Sequence, residues 1–107
     1  MDSAQYRVVE YSWASTGNGR IEMHHGARIL SVQSTPDGDV KLWAIADRRS
    51  PLEVRRITAY DTLAPLPSGD PGRYIGTVQL MSGTLVLHFF DEGWWEPPVV
   101  RPAPPPG

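Results

Sequence analysis

Apolar residues in this chain recur at every second position almost throughout, and no useful length of it carries them at helical spacing. Period two marks a strand with one buried face, because successive side chains leave a pleated backbone in opposite directions. Residues 5–13 set the pattern, with Arg7, Val9, Tyr11 and Trp13 on one face. The alternating positions are largely β-branched or aromatic, the residue types that pack well on a pleated surface. Turn chemistry separates the runs. Ser15-Thr16-Gly17-Asn18-Gly19 ends the first strand, Arg20–His24 reads as a short second one, and Gly26 breaks it. Arg28–Ser34 and Val40–Asp47 flank Thr35-Pro36-Asp37-Gly38-Asp39, the strongest hairpin signal in the chain. Glu53–Tyr60 follows; its start has some helical propensity, but Val54, Ile57, Thr58 and Tyr60 favour a strand. After a proline- and glycine-rich loop from Asp61 to Gly72, Arg73–Leu80 and Thr84–Asp91 form a second hairpin across Met81-Ser82-Gly83. The expectation is an all-β domain of about seven short antiparallel strands, hairpin-rich, arranged as a small sandwich or a partly open barrel.

The two hairpins echo one another. Ile29-Leu30-Ser31-Val32-Gln33 resembles Ile75-Gly76-Thr77-Val78-Gln79, and each leads through a turn into an apolar strand closed by an aspartate, Asp47 or Asp91. Either an internal duplication or the convergence of two hairpins with similar jobs accounts for this, and with so few matching positions convergence is the simpler reading. The 107 residues amount to one domain. Six of the eleven prolines lie in residues 97–107. The expected division is therefore a β domain over 1–93 and a disordered proline-rich tail over 94–107, extended or polyproline II in character. Such a tail either docks in an aromatic groove of a partner or stays solvated, and solvation is the default. Trp94 and Trp95 at the junction offer an interface patch, one indole packing on the domain edge.

Bulk charge excludes several classes. Ten basic residues against twelve acidic ones give a formal charge of −2 with the signs interspersed, so no nucleic-acid partner is expected. No polybasic segment or long apolar run is present, so no membrane association is expected. The absence of cysteine removes disulfides, thiolate metal sites and thiol nucleophiles, and mildly favours an intracellular setting. Met1–Arg7 carries an acid and no apolar core, so no signal peptide is expected.

The residues that attract chemical attention resolve mostly to structural uses. His24 and His25 are adjacent and point to opposite faces unless the strand has already ended, which argues against a shared metal. His88 lies within the most apolar strand, on the face of Val86 and Phe90, where it is a hydrogen-bonded imidazole or lines a pocket or interface. A general-base role for it needs an orienting carboxylate and a nucleophile, and no motif supplies them. Asp37-Gly38-Asp39 lacks the remaining ligands of a calcium loop. Arg48-Arg49 and Arg55-Arg56 flank one loop and strand, and alternation sends Arg55 and Arg56 to opposite faces, so only one of each pair can join a common anion site. No catalytic residue, metal site or cofactor is expected.

The stretch from Tyr6 to Glu92 resembles a family of small uncharacterised proteins found mainly in phages and prophages, many with actinobacterial hosts. The carrying residues are Gly26-Ala27-Arg28-Ile29-Leu30-Ser31-Val32-Gln33, Leu42-Trp43-Ala44-Ile45-Ala46-Asp47, Tyr74-Ile75-Gly76-Thr77-Val78-Gln79 and Leu85-Val86-Leu87-His88-Phe89-Phe90-Asp91-Glu92. The resemblance implies a phage-type origin and transfers no catalytic residue. The expectation that follows is a non-enzymatic accessory protein in the host cytoplasm. It would be a homo-oligomer that binds a host protein or sequesters a small anionic, nucleotide-like ligand in host takeover or anti-defence. Arg55, Arg56, Arg73, Trp43, Tyr74 and His88 are the candidate ligand-binding residues. A minor virion component is the alternative, and a small enzyme, starting from His88 and Asp91, is a third.

Overall fold

The computed structural model describes residues 5–13, 19–67 and 69–94. Seven strands lie there in two antiparallel sheets: β1 (Tyr6–Trp13), β2 (Arg20–His24), β3 (Arg28–Ser34), β4 (Val40–Asp47), β5 (Leu52–Asp61), β6 (Arg73–Leu80) and β7 (Leu85–Trp94). No α-helix occurs among the described residues, and none of their helices is long and apolar enough to cross a membrane. One sheet has the order β1-β4-β3 and the other β2-β5-β7-β6. Both expected hairpins form, β3 with β4 and β6 with β7. The strand β7 continues through Trp94, past the aspartate at which the sequence pattern ends it. The proline-rich segment from Trp95 onward, and the turn at 14–18, lie outside the described residues.

Alternation decides which face each strand buries. In β4, Val40, Leu42, Ala44 and Ala46 are buried, while Lys41, Trp43, Ile45 and Asp47 take the opposite face. Val9, Tyr11 and Trp13 of β1 turn to the same core. From the second sheet, Ile21, Met23, Ile57, Val78 and Phe89 meet them, and Phe89, Met23, Leu42 and Ile57 are sealed from solvent. The Trp13 ring packs edge-on against Phe89 at 5.0 Å, and its indole N–H donates to the Ile57 carbonyl at 3.2 Å. That bond satisfies the one polar atom a part-buried indole brings with it.

The sheets lie face to face without closing into a barrel. Along one seam β3 runs beside β6, where the Ser34 hydroxyl donates to the Gln79 carbonyl at 3.5 Å. Gly76 permits this approach, since a Cβ there would stand 3.0 Å from Val32 Cγ1. Along the other seam β1 approaches β2 near Tyr11, whose hydroxyl shares a 2.6 Å hydrogen bond with His24 Nδ1. The turns follow the sequence chemistry. Thr35 and Asp39 close the first hairpin with a backbone bond of 2.8 Å, and the Thr35 hydroxyl accepts from the Asp39 N–H. At the end of β4, the Asp47 carboxylate accepts hydrogen bonds from the Arg49 side chain and backbone, which lower its pKa from 3.8 to about 2.

Candidate functional site: an arginine-lined cleft at the β3–β6 seam

Where β3 begins and β6 begins, the seam opens into a cleft of about 170 Å³ lined by Ala27, Arg28, Ile29, Arg55, Arg73, Tyr74 and Asp91, among others. Four strands supply it: Arg28 comes from β3, Arg55 from β5, Arg73 and Tyr74 from β6, and Asp91 from β7. Two irregularities shape the walls. The pairing of β3 with β4 shifts at Leu30, and that of β6 with β7 shifts at Ile75, so each seam strand carries one extra residue beside the cleft. A bulge of this kind bends its strand and re-aims the neighbouring side chains. Gly72 then brings the chain into β6 at a φ of +103°, so close to β7 that a Cβ would stand 2.5 Å from the Asp91 carbonyl oxygen.

The side of the cleft is an ion pair. Arg55 Nε donates to Asp91 Oδ1 at 3.1 Å and Nη2 donates to Oδ2 at 2.5 Å, a bidentate fork with side chains only 12% and 8% exposed. The Gly93 N–H adds a third donor to Asp91 Oδ1 at 2.8 Å, and Arg55 Nη1 donates to the Ala27 carbonyl just before β3. Trp94 lies against the guanidinium, its ring centroid 4.6 Å from Cζ, and stacks with the His25 ring at a centroid distance of 6.0 Å. This cluster ties β5 and β7 to the first residues of β3. It also engages the carboxylate: both Asp91 oxygens accept from Arg55, and Oδ1 accepts from the Gly93 amide as well.

Arg28 and Arg73 stand differently. Neither has an ion-pair partner among the described residues, and both are exposed at the cleft. The cleft thus presents three guanidinium groups against one carboxylate that is already spoken for. An arrangement of this type attracts a phosphate or carboxylate, because planar guanidinium forks match such groups geometrically as well as in charge.

Of the residues singled out in the sequence, Arg55, Arg73 and Tyr74 are brought together here. The other three lie elsewhere. Arg56, one residue on from Arg55 in a strand, takes the outer face of its sheet, 3.5 Å from Glu92 Oε1. Trp43 takes the outer face of the other sheet, because its neighbours Leu42 and Ala44 fill the core. His88 also lies on an outer face, where Nε2 shares a 2.8 Å bond with Thr62 Oγ1 and Nδ1 a 3.0 Å bond with Thr77 Oγ1. The Thr77 hydroxyl in turn meets the Tyr74 hydroxyl at 2.6 Å. A neutral imidazole has one donor and one acceptor, so two hydroxyls satisfy it without a carboxylate. His24 and His25 diverge, since β2 ends at His24: His24 bonds Tyr11, and His25 Nδ1 lies 2.5 Å from Glu53 Oε1. No group of three potential metal ligands occurs among the described residues. Trp94 is half-buried rather than displayed, and Trp95 lies outside the described residues.

Sequence reasoning missed Arg28 as a cleft residue and Asp91 as the partner of Arg55. Arg28 was visible only as the first residue of a strand, and nothing local says that β3 runs beside β6, since the two are separated by two other strands in the chain. The acid closing the apolar run of β7 was visible, but its partner lies 36 positions away.

Fold and site together define an open, two-sheet all-β domain with a guanidinium-lined cleft at one seam. The chain belongs to the family described as Domain of unknown function (DUF7352), whose model matches residues 5–96. No curated protein and no solved structure matches it.

Proposed function

We propose that this protein is a binding domain rather than a catalyst, and that the β3–β6 cleft holds the anionic group of a small ligand. The observation that carries this reading is that Arg28 and Arg73 flank a cleft whose single carboxylate, Asp91, is already bound by Arg55. The cleft is small. At about 170 Å³ it falls below the ~300–1,000 Å³ of sites that engulf a whole drug-sized molecule. It therefore suits a phosphate or carboxylate head, with the rest of the ligand lying outward over the exposed ring of Tyr74. A nucleotide meets both requirements. Combined with the phage-type origin that the family resemblance implies, this favours an accessory protein that sequesters a nucleotide-like ligand in the host cytoplasm.

Thermal unfolding in the presence of inorganic phosphate and of linear and cyclic nucleotides tests the reading. A ligand held at 100 times its dissociation constant adds about 2.7 kcal/mol to stability. Arg28→Ala and Arg73→Ala should each abolish the shift, whereas Arg56→Ala, an exposed arginine on the outer face of its sheet, should leave it intact. No shift with any of these anions would discard the cleft as a ligand site and favour recognition of a host protein instead.

A further inference from the structure

A sheet edge presents a row of unpaired backbone N–H and C=O groups, and folded chains ordinarily blunt such rows. Among the described residues the two sheets have four edges, β1 and β3 in one and β2 and β6 in the other. Three of them are protected. β3 is bulged at Leu30, β6 is bulged at Ile75, and these two flank each other along the cleft seam. β2 has only five residues. The fourth, β1, has none of these devices: eight residues in unbroken register with β4, without proline, glycine or bulge. Its second half is guarded, because Tyr11 is bonded to His24 and Trp13 to the Ile57 carbonyl. Among the described residues, no such side-chain bond guards its first half. Tyr6 and Val8 are 58% and 63% exposed although both are largely apolar. The edge from Arg7 to Glu10 borders a trough of about 730 Å³, lined across from it by Glu22, His24, Arg48 and Leu52.

We propose that a second copy of this chain pairs antiparallel with β1 about a two-fold axis at Val8, giving a continuous sheet in the order β3-β4-β1 and, reversed, its copy. A two-fold axis normal to the sheet opposes a strand to itself and keeps each face on its own side. Centred on Val8, it sets Val8 beside the partner's Val8, Arg7 beside the partner's Val9, and Tyr6 beside the partner's Glu10. No like charges face each other. Centred on Arg7, it would oppose two arginines, which is destabilising. Centred on Val9, it would set Val8 beside the partner's Glu10 and draw the Tyr11–His24 contact into the new ladder. The Val8 register also extends an apolar surface, since Val8 lies opposite Ile45 in the β1–β4 ladder. One strand edge is small against the ~800 Å² that each partner buries in a standard interface, which places the contact among weak, transient ones. The inference is independent of the anion cleft, which occupies the opposite seam.

Sedimentation equilibrium of the whole chain, together with cysteine cross-linking, tests it. The sequence contains no cysteine, so Val8→Cys introduces the only thiol. Mild oxidation should convert most of that variant to a disulfide-linked dimer, while Gln33→Cys on β3 stays monomeric. Val8→Lys, at an exposed position, should keep the wild-type circular dichroism and weaken association roughly tenfold or more. A wild-type chain that remains monomeric at roughly 100 μM overturns the proposal. So does a dimer that cross-links at Gln33→Cys and not at Val8→Cys.

Discussion

Arg55 and Asp91 show how one buried pair both builds a site and fixes its charge. Taking a guanidinium and a carboxylate out of water costs several kcal/mol per ion, which mutual attraction offsets only when the remaining donors and acceptors are satisfied. Here they largely are: the fork is bidentate, Asp91 gains the Gly93 amide, and Arg55 reaches the Ala27 carbonyl. Removing one partner should therefore be far worse than removing both. Asp91→Ala leaves Arg55 buried without its counter-ion and is expected to lose about 3–5 kcal/mol of stability in urea unfolding. Arg55→Met combined with Asp91→Leu should recover most of that loss, because an apolar pair of similar volume has no charge to desolvate. Additive losses in the double variant would show that the pair stabilises the fold outright. Sequence reasoning reached part of this residue-scale picture. Alternation correctly separated Arg55 from Arg56, because a pleat permits nothing else. It gave no means of choosing which of them faced inward, since that depends on where Asp91 falls across the sheet.

At the scale of elements, alternation and turn chemistry were enough to read nearly every strand, and the reason is local. Val40, Leu42, Ala44 and Ala46 are buried in strict succession, and Gly38 at a φ of +88° supplies the conformation the first hairpin turn needs. What remained illegible was how edges meet. The β3–β6 seam has no ladder and no local signature, and the bulges at Leu30 and Ile75 that shape the cleft leave the period-two pattern nearly intact. That is why Arg73 and Tyr74 could be guessed at the site while Arg28 across the seam could not. Gly72 is the hinge of this arrangement. Its left-handed φ and the 2.5 Å approach of its would-be Cβ to the Asp91 carbonyl both exclude a side chain. Gly72→Ala must shift backbone against backbone, so a loss of about 1–3 kcal/mol is expected. The start of β6 should move with it. The same variant is thus expected to weaken any anion-dependent thermal shift, whereas Arg56→Ala, on the outer face of the same sheet, should leave the shift unchanged. An unaltered shift in Gly72→Ala would separate the close approach from the geometry of the cleft.

The order of the strands across the whole molecule governs how it assembles. The ladders β3–β4 and β6–β7 join neighbours in sequence through short turns, so each closes a small loop. The ladders β1–β4, β2–β5 and β5–β7 join strands that are not consecutive, and the closure entropy of their longer loops is met only after partners exist. The two hairpins should therefore form the folding nucleus, with β1 and β2 added late. Leu42 in β4 and Met23 in β2 are both fully buried, and truncating either to alanine is expected to cost about 2–5 kcal/mol. The kinetics should divide that cost differently. Leu42→Ala should slow refolding, because its contacts within the hairpin exist in the transition state, whereas Met23→Ala should leave refolding nearly unchanged and accelerate unfolding. With so many non-local pairings, refolding of the wild-type chain belongs in the millisecond-to-second range of all-β domains. Stopped-flow fluorescence of a variant that keeps Trp13 and replaces Trp43, Trp94 and Trp95 by phenylalanine follows the step at which the sheets come together, because Trp13 packs on Phe89 between them. Equal effects of the two substitutions on refolding would place β2 in the nucleus and rule out late addition of this edge.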